Sequence, residues 1–373
     1  MGQMQKVSWR TAGCAALGTI VAAASVVAII NSDGVRPTSL TSNAATRWLV
    51  DRDHGNVVLV DGLAGRVLAK ITTDTDLTDE VAVQGSGGAF LVAQQQGSIR
   101  TISTAKLQLG TAQPVALLTE NSVTFGVGSS GLTIVSPTTS EARVVAVDDV
   151  SRGIQVPKAM DAMVAADGSM WLLSQTTATH VNVDQSFASA PLRSTPKLTT
   201  TVGAKGVAYD GGNGIVSWLD GGDVNVTSRI ANFSEAVMQD PGDDAPCVWI
   251  GSGDTLLCVG RTGIDRTVVV DGMKLSGALR DRLAVADSTA VVVTTANDVR
   301  RIDLVAQAYG NDEKPTVPGG AGPLSITSSS GMIWLDDLTG QDAWVVQRFG
   351  INHINKDAQA PLLDAQGSGP RRR

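Results

Sequence analysis

The sequence predicts an all-β protein: a β-propeller, with eight blades favoured and seven as the alternative, preceded by one N-terminal transmembrane helix. Three observations lead to this prediction. Among 373 residues, Gly and Asp number 40 and 31, whereas the helix formers Glu and Lys number only 5 and 9. A twenty-residue uncharged stretch lies near the start of the chain. Beyond it, a unit of short strands and polar turns recurs.

The uncharged stretch covers residues 11–30. At about 1.5 Å per residue, a helix of this length spans the roughly 30 Å hydrocarbon core of a bilayer. Lys6 and Arg10 precede it, so the positive-inside rule places residues 1–10 in the cytoplasm and the remainder outside. A cleaved signal peptide is the alternative, but no small-x-small site closes the stretch, which favours an uncleaved signal anchor. The sequence therefore predicts a single-pass protein of the cell membrane, with residues 31–37 as a linker.

The repeat occupies residues 38–356, and each copy contains a hairpin whose first strand has an apolar anchor position. The anchors are Trp48, Phe90, Thr133, Trp171, Trp218, Trp249, Val292 and Trp334. Four short strands recurring about every 40–45 residues are typical of a propeller blade. The 31-residue spacing between Trp218 and Trp249 is tight for four strands and leaves seven blades open. Tandem immunoglobulin-like domains are the rival architecture, but their strand and cysteine patterns do not recur. We expect residues 357–373 to form a flexible tail.

Two cysteines, Cys247 and Cys258, follow the predicted anchor and flank a hairpin in the sequence PCVWIGSGDTLLCV. A turn over residues 251–254 would place them directly opposite each other, within reach of a disulfide. In an oxidising compartment we expect this bond to form, with two buried thiols as the alternative.

Charge and residue types exclude several functions. The net charge is −7 and the pI about 5.0, so we expect no nucleic-acid partner. The three histidines, His54, His180 and His353, have no second ligand at metal-binding spacing. Neither a nucleophile elbow nor a phosphate-binding P-loop occurs. We predict no catalytic, cofactor or small-molecule site.

Acidic loops are the weak candidates for a site. They contain Asp74, Asp76, Asp79 and Glu80 in one segment, Asp240, Asp243 and Asp244 in a second, and Asp312 and Glu313 in a third. All three segments precede a predicted strand unit, so we expect them on one face of the propeller. Several carboxylates on one face would suit Ca²⁺ or a basic partner. None of the three segments follows the calcium-loop pattern, so solvated loops are the favoured interpretation.

The first unit, WLVDRDHGNVVLVDGLAGRVLAKI at residues 48–71, resembles the repeat of YVTN-type and NHL-type bacterial propellers. The chain as a whole resembles the N-terminal, membrane-anchored propeller region of actinobacterial surface proteins that continue into fibronectin type III or immunoglobulin-like domains. This resemblance implies a role at the cell envelope and supplies no catalytic residues.

Together these features predict an extracytoplasmic binding or scaffold module whose partner is an extracellular protein or a cell-wall glycan. Two alternatives stay open at this point. One is a propeller hydrolase, lyase or quinoprotein-like enzyme with a site in the central channel. The other is a sensory protein that acts through a membrane partner.

Overall fold

A computed structural model describes residues 45–74, 76–148, 151–221, 223–226, 230, 233, 235–275, 282–294, 299–304, 312–313 and 323–367. The compact unit that carries the fold comprises residues 42–103 and 107–373. Its described part contains one short 3₁₀ helix, Ala116–Thr119, and is otherwise built of strands and turns. No helix in this part is long and apolar enough to span a membrane. The predicted anchor, residues 11–30, lies outside the described residues.

The strands form eight sheets, and each sheet is one blade of a propeller. Blade 1 consists of β1 (Thr46–Asp51), β2 (Asn56–Asp61) and β3 (Arg66–Thr72), and blade 2 of β4 (Glu80–Gly85), β5 (Gly88–Ala93), β6 (Ser98–Ser103), β7 (Gln108–Leu109) and β8 (Gln113–Pro114). Blade 3 consists of β9 (Thr124–Gly128), β10 (Gly131–Ser136), β11 (Glu141–Val145) and β12 (Ser151–Gln155). Blade 4 consists of β13 (Asp161–Val164), β14 (Met170–Leu173), β15 (Thr177–Val181) and β16 (Phe187–Pro191).

Blades 5 to 8 follow the same plan. Blade 5 consists of β17 (Leu198–Val202), β18 (Lys205–Asp210), β19 (Ile215–Asp220) and β20 (Asp223–Val226), and blade 6 of β21 (Val237–Met238), β22 (Cys247–Ser252), β23 (Thr255–Gly260) and β24 (Ile264–Val269). Blade 7 consists of β25 (Leu283–Ala286), β26 (Thr289–Val293), β27 (Val299–Asp303) and β28 (Asp312–Glu313). Blade 8 consists of β29 (Leu324–Ser329), β30 (Met332–Asp337), β31 (Asp342–Gln347) and β32 (Gly350–Asn355). A final strand, β33 (Leu362–Leu363), joins blade 1.

The inner strands of blades 2 to 8 run in the same direction, because their ends lie together. Val202 of blade 5 forms a parallel bridge with Gly242 of blade 6, and a Cβ at Gly331 of blade 8 would lie 3.1 Å from Asp287 Oδ2 of blade 7. A Cβ at Gly87 would lie 2.0 Å from the Gly128 carbonyl oxygen, and one at Gly128 would lie 2.1 Å from the Gly168 nitrogen. Antiparallel strands alternate in direction, so the first-to-second and third-to-fourth turns of these blades share this end, which we call the lower face. The second-to-third turns and the connections between blades lie at the opposite end, the upper face.

Blade 1 has the reverse orientation. The Gln84 side chain accepts from Trp48 N at 3.2 Å and donates to Thr46 O at 3.0 Å, while Arg52 donates to Glu80 O at 2.7 Å. The start of β1 therefore lies beside the end of β4, and the two strands are antiparallel. Consequently the described chain enters the propeller at the lower face, and the β2–β3 turn, residues 62–65, lies at that face too.

The C-terminal segment contributes to blade 1. Strand β33 pairs in parallel with β3, Lys70 N donates to Pro361 O at 2.9 Å, and Leu109 N donates to Ala365 O at 2.9 Å. The structure thus differs from the prediction of a flexible tail from residue 357, because the chain up to residue 365 makes backbone hydrogen bonds with blades 1 and 2. Such short, parallel pairing leaves little periodic signal in the sequence.

Eight blades are confirmed, and the irregular spacing of the tryptophans has a structural cause. Trp171, Trp249 and Trp334 lie in the second strands of their blades, whereas Trp218 lies in the third strand of blade 5. The 31-residue spacing therefore compares positions on different strands. The second strand of blade 5 is Lys205–Asp210, whose buried aromatic residue is Tyr209.

The close approach of Gly128 to Gly168 gives a test of the way blades 3 and 4 pack. Replacing Gly128 with alanine should lower the free energy of unfolding by about 1–3 kcal/mol, because backbone atoms must move to admit the methyl group. The matched control is Gly153→Ala on the outer strand of blade 3, where a Cβ would have no atom within 4 Å. Urea-unfolding midpoints measure both, and equal midpoints would contradict this packing.

The Cys247–Cys258 disulfide is present, with a Cα–Cα distance of 5.4 Å. Its predicted strand register is wrong by two residues. Because the turn contains only Gly253, with φ +57°, and Asp254, Cys258 lies opposite Trp249 and Cys247 lies opposite Gly260. The bond therefore joins diagonal neighbours on one side of the hairpin, which are still close enough to connect.

Candidate functional site

A cluster of charged side chains lies where the last blade meets blades 1 and 2. It surrounds a cavity of about 40 Å³, which we call the closure cavity, lined by Arg47, Arg52, Glu80, Ser325 and Asp336 among others. Ligand pockets have volumes of about 300–1,000 Å³, whereas a single water needs only about 10–15 Å³. The closure cavity therefore has room for a few water molecules rather than for a substrate.

Lys356 is the central cation of this cluster. It follows β32 and is completely buried, with its ammonium group donating to Asp336 Oδ1 at 3.0 Å, Val50 O at 3.0 Å and Asp337 O at 2.7 Å. Burial raises the pKa of Asp336, and the charge of Lys356 opposes that shift. Lys356 is thus held within blade 8 by the Asp336 carboxylate and the Asp337 carbonyl, and it connects this blade to the inner strand of blade 1 through the Val50 carbonyl.

Two arginines complete the cluster. Desolvation lowers the pKa of Arg47 to about 10, an effect that Asp336 opposes. The Arg47 guanidinium carbon lies 5.7 Å from the centroid of the Trp334 ring, a cation–π contact between blades 1 and 8. Arg52 donates to the carbonyls of Leu77 and Leu338, and so bridges the same blades and the connection to blade 2. These charges fit a structural role in closing the ring.

A second charged group lies at the upper face beside this cluster. His54 Nδ1 lies 3.1 Å from the buried Asp51 carboxylate, and His54 Nε2 lies 3.7 Å from Asp357. Asp51, His54 and Asp357 are the described residues whose ligand atoms gather within 4.8 Å, a donor set suited to a divalent cation. Lys70 already lies 3.2 Å from Asp357, so an ion pair occupies one of the three donors.

The His54 contacts predict a pH dependence of stability. The hydrogen bond that His54 donates to the Asp51 carboxylate raises the pKa of His54 above 6.5, with the Asp51 and Asp357 charges adding to the shift and Lys70 opposing it. A raised folded-state pKa gives stabilisation that is complete below pH 6.5 and is lost as the pH rises through the raised pKa. The melting temperature should therefore fall on the alkaline side of pH 6.5, and His54→Gln should flatten this decline.

The control for this pH dependence is His180, which stacks on Trp171 with ring centroids 4.3 Å apart. Desolvation lowers the pKa of His180, so His180 reduces the stability of the folded state as the pH falls below 6.5 and not as it rises. His180→Phe should leave the alkaline decline intact. An unchanged alkaline decline in His54→Gln would show that His54 is not its source.

The structure does not place the acidic segments on one face. Asp74 pairs with Arg100 at 3.0 Å, which lowers the pKa of Asp74, and Asp79 accepts from Gln95 N at 3.0 Å. Asp76 accepts from Thr78 N at 3.0 Å. This first segment lies at the upper face, because residues 73–79 connect blade 1 to blade 2. Glu80 is buried and lines the closure cavity instead.

The second acidic segment lies at the lower face. Asp244 pairs with Lys205 at 3.2 Å and Asp243 accepts from Gly331 N at 3.3 Å, while Asp240 is buried. The common-face prediction is wrong because residues 239–246 join the first and second strands of blade 6 rather than two blades. Asp312 and Glu313 form β28, the outer strand of blade 7.

This lower-face segment crosses the inside of the ring. Gly203 N of blade 5 donates to Gly242 O at 2.9 Å, and Ser328 Oγ of blade 8 donates to Pro241 O at 3.4 Å. Blades 6 and 8 are not neighbours, so the segment spans the interior between them. We call residues 239–246 the crossing loop.

Comparisons with known proteins identify the fold and leave the family open. No protein-family description matches the sequence, and no curated protein does. Among solved structures, the chain is similar to virginiamycin B lyase of Staphylococcus aureus, with 12% identity, a TM-score of 0.50, and coverage of 70% of this chain and 94% of the lyase.

Two further structures are similar over most of the chain. The dihydro-heme d1 dehydrogenase NirN has 11% identity and a TM-score of 0.56, covering 87% of this chain and 76% of NirN. BamB of Moraxella catarrhalis has 10% identity and a TM-score of 0.50, covering 86% of this chain and 95% of BamB. These similarities confirm the propeller fold. They provide no sequence support for the narrower resemblance to YVTN-type, NHL-type or actinobacterial surface propellers.

Proposed function

We propose that this chain is a membrane-anchored, extracytoplasmic propeller that binds another component of the bacterial cell envelope, either a protein or a cell-wall glycan. The observation that carries the proposal is the crossing loop. A propeller enzyme of the kind considered above would use the central channel, and here residues 241–243 span the ring interior from blade 5 to blade 8. The resemblance to the anchored propeller region of actinobacterial surface proteins supports the same role.

The partner is expected at the upper face. The predicted anchor precedes Ala45, and the described chain enters the propeller at the lower face, so the upper face points away from the membrane in this proposal. Two large apolar side chains are exposed there, Met160 at 54% and Val269 at 67%. Asp74 and Asp76 are exposed at the same face, on the connection between blades 1 and 2. Apolar contacts with a charged surround are common at protein interfaces.

Photo-crosslinking tests this proposal. A photoreactive amino acid at position 160 or 269 of the full chain, irradiated in intact cells, should give a discrete adduct that is sensitive either to protease or to a cell-wall hydrolase. The matched control is position 63, an exposed lower-face leucine at 61%. An upper face that forms no adduct at any of several such positions would contradict the proposal.

A further inference from the structure

The lower face carries a repeated pattern of exposed apolar side chains. Nine large apolar side chains are exposed among the described residues, and six of them lie in or beside lower-face turns. These six are Leu63, Val147, Val183, Phe187, Ile264 and Phe349. They come from five different blades. Five of them lie in the turn between the third and fourth strands of a blade or at the first residue after it, and Leu63 lies in the β2–β3 turn of blade 1. Single exposed apolar residues are ordinary, but their recurrence at equivalent turns of one face is not.

Exposed arginines accompany these apolar residues in four of the five blades. They are Arg66 near Leu63, Arg152 near Val147, Arg261 near Ile264, and Arg348 beside Phe349. The Arg348 guanidinium carbon lies 5.3 Å from the Phe349 ring centroid, and Phe349 is the most exposed of the apolar side chains at 91%. Carboxylates occur there as well: Asp61, Asp148, Asp184 and Asp265 lie in or beside these turns, and Arg261 pairs with Asp220. Apolar tips beside arginines suit the boundary between lipid head groups and acyl chains.

The blade 1 and blade 8 turns form the strongest part of this pattern, because they adjoin each other. Asn352 Nδ2 donates to Gly62 O and to Leu63 O, both at 2.9 Å, which brings the Leu63 turn against the strand that follows Phe349. The chain also enters the propeller at this point, since Gly62 N donates to Ala45 O at 2.9 Å. Leu63, Phe349 and the start of the described chain therefore lie in one region.

The centre of the lower face has the opposite character. Asp243 and Asp244 belong to the crossing loop, and both are engaged by protein groups, Gly331 N and Lys205. Because the apolar tips lie at the edge of this face, its edge rather than its centre would touch a bilayer. We name this edge the lower rim: Leu63, Arg66, Val147, Arg152, Val183, Phe187, Arg261, Ile264, Arg348 and Phe349.

We propose that the lower rim rests on the outer surface of the membrane, with Phe349 and Leu63 inserted at the interface and Arg348 and Arg66 near lipid phosphates. This inference rests on the proposed membrane anchoring. Residues 31–44 separate the predicted anchor from Ala45, and a fully extended chain spans at most about 3.3–3.6 Å per residue, so the lower rim is tethered within reach of the bilayer.

Fluorescence of an environment-sensitive label tests this inference on the full chain. Cys14→Ser removes the one cysteine outside the disulfide, and a bimane label is then attached at Phe349→Cys or Leu63→Cys. Val269→Cys and Met160→Cys are the controls on the upper face, where these side chains are 67% and 54% exposed, close to the 61% of Leu63. The protein is incorporated into nanodiscs of phosphatidylcholine and phosphatidylglycerol, which leave both sides of the bilayer open to the aqueous quencher.

The lower-rim labels should show blue-shifted emission, strong quenching by nitroxide lipids, and iodide quenching several-fold weaker than at the upper-face positions. Arg348→Glu should reduce lipid quenching of the label at Leu63→Cys. If the protein enters nanodiscs and the lower-rim labels stay as accessible to iodide as the controls, the inference fails and the anchoring stands. If the chain does not enter nanodiscs, the proposed anchoring fails. Labels that are exposed in nanodiscs but protected in native membranes would overturn lipid contact in favour of a protein partner.

Discussion

Replacing Lys356 with methionine should lower the free energy of unfolding by about 3–5 kcal/mol, the cost of leaving one member of a buried ion pair without its partner. The Lys356 side chain is completely buried, and three acceptors from blades 1 and 8 surround its ammonium group. Its loss leaves the Asp336 carboxylate, 15% exposed, without its nearest cation. The urea-unfolding midpoint of the full chain measures the effect.

Two variants separate ring closure from general loss of charge. Lys205→Met removes a cation from the solvent-exposed pair with Asp244, and should cost no more than about 1 kcal/mol. Adding Asp336→Asn to Lys356→Met removes the uncompensated carboxylate, and should restore most of the lost stability. Similar midpoints for Lys356→Met and Lys205→Met would contradict the role assigned to Lys356.

The second large effect is expected at Trp171. Replacing it with alanine should lower the free energy of unfolding by about 3–5 kcal/mol, because a buried aromatic side chain is removed and a cavity remains. Trp171 is 1% exposed, its indole Nε1 donates to Ala204 O of blade 5 at 3.1 Å, and its ring fills the space left by Gly206. The loss therefore falls on the contact between blades 4 and 5.

Trp171→Phe keeps most of the apolar volume but loses the indole hydrogen bond, so its effect should be smaller than that of alanine. Phe349→Ala is the surface control. At 91% exposure it should change stability by no more than about 0.5 kcal/mol. A change of similar size in Trp171→Ala and Phe349→Ala would contradict the packing between these blades.

The fold could be predicted from the sequence because its main signal is repeated. Each blade supplies alternating strands and Gly- or Asp-containing turns, so eight weak local patterns add to one strong prediction. Trp218 shows where that signal fails. A buried tryptophan fits the third strand of blade 5 as well as the second strand of other blades, and the sequence alone does not distinguish the two positions.

Exact register was less predictable than the presence of a hairpin. The Cys247–Cys258 pair was found from spacing, but a two-residue turn with Gly253 in the left-handed region competes with a four-residue turn in the same sequence. Either turn brings the cysteines close enough to bond. The connectivity was therefore predictable, whereas the residue opposite each cysteine was not.

The closure cluster was missed because its members are far apart in the chain. Arg47, Asp336 and Lys356 meet only when the last blade closes on the first, and none has a local motif. One signal was present: Lys356 is one of only nine lysines and directly follows β32, a strand that contains Ile351 and the buried Ile354. The prediction that the acidic loops share one face was wrong for a related reason, since the face on which a loop lies depends on which strands it joins.

The redox state of Cys247 and Cys258 in intact cells tests the extracytoplasmic placement most directly. Cells are quenched in acid, the chain is denatured without reductant, and free thiols are alkylated before peptide mass analysis. Cys14 serves as the internal reference for alkylation. We expect a disulfide-linked peptide pair containing Cys247 and Cys258, because disulfides persist in oxidising compartments outside the cytoplasm. Full alkylation of both cysteines alongside Cys14 would contradict it.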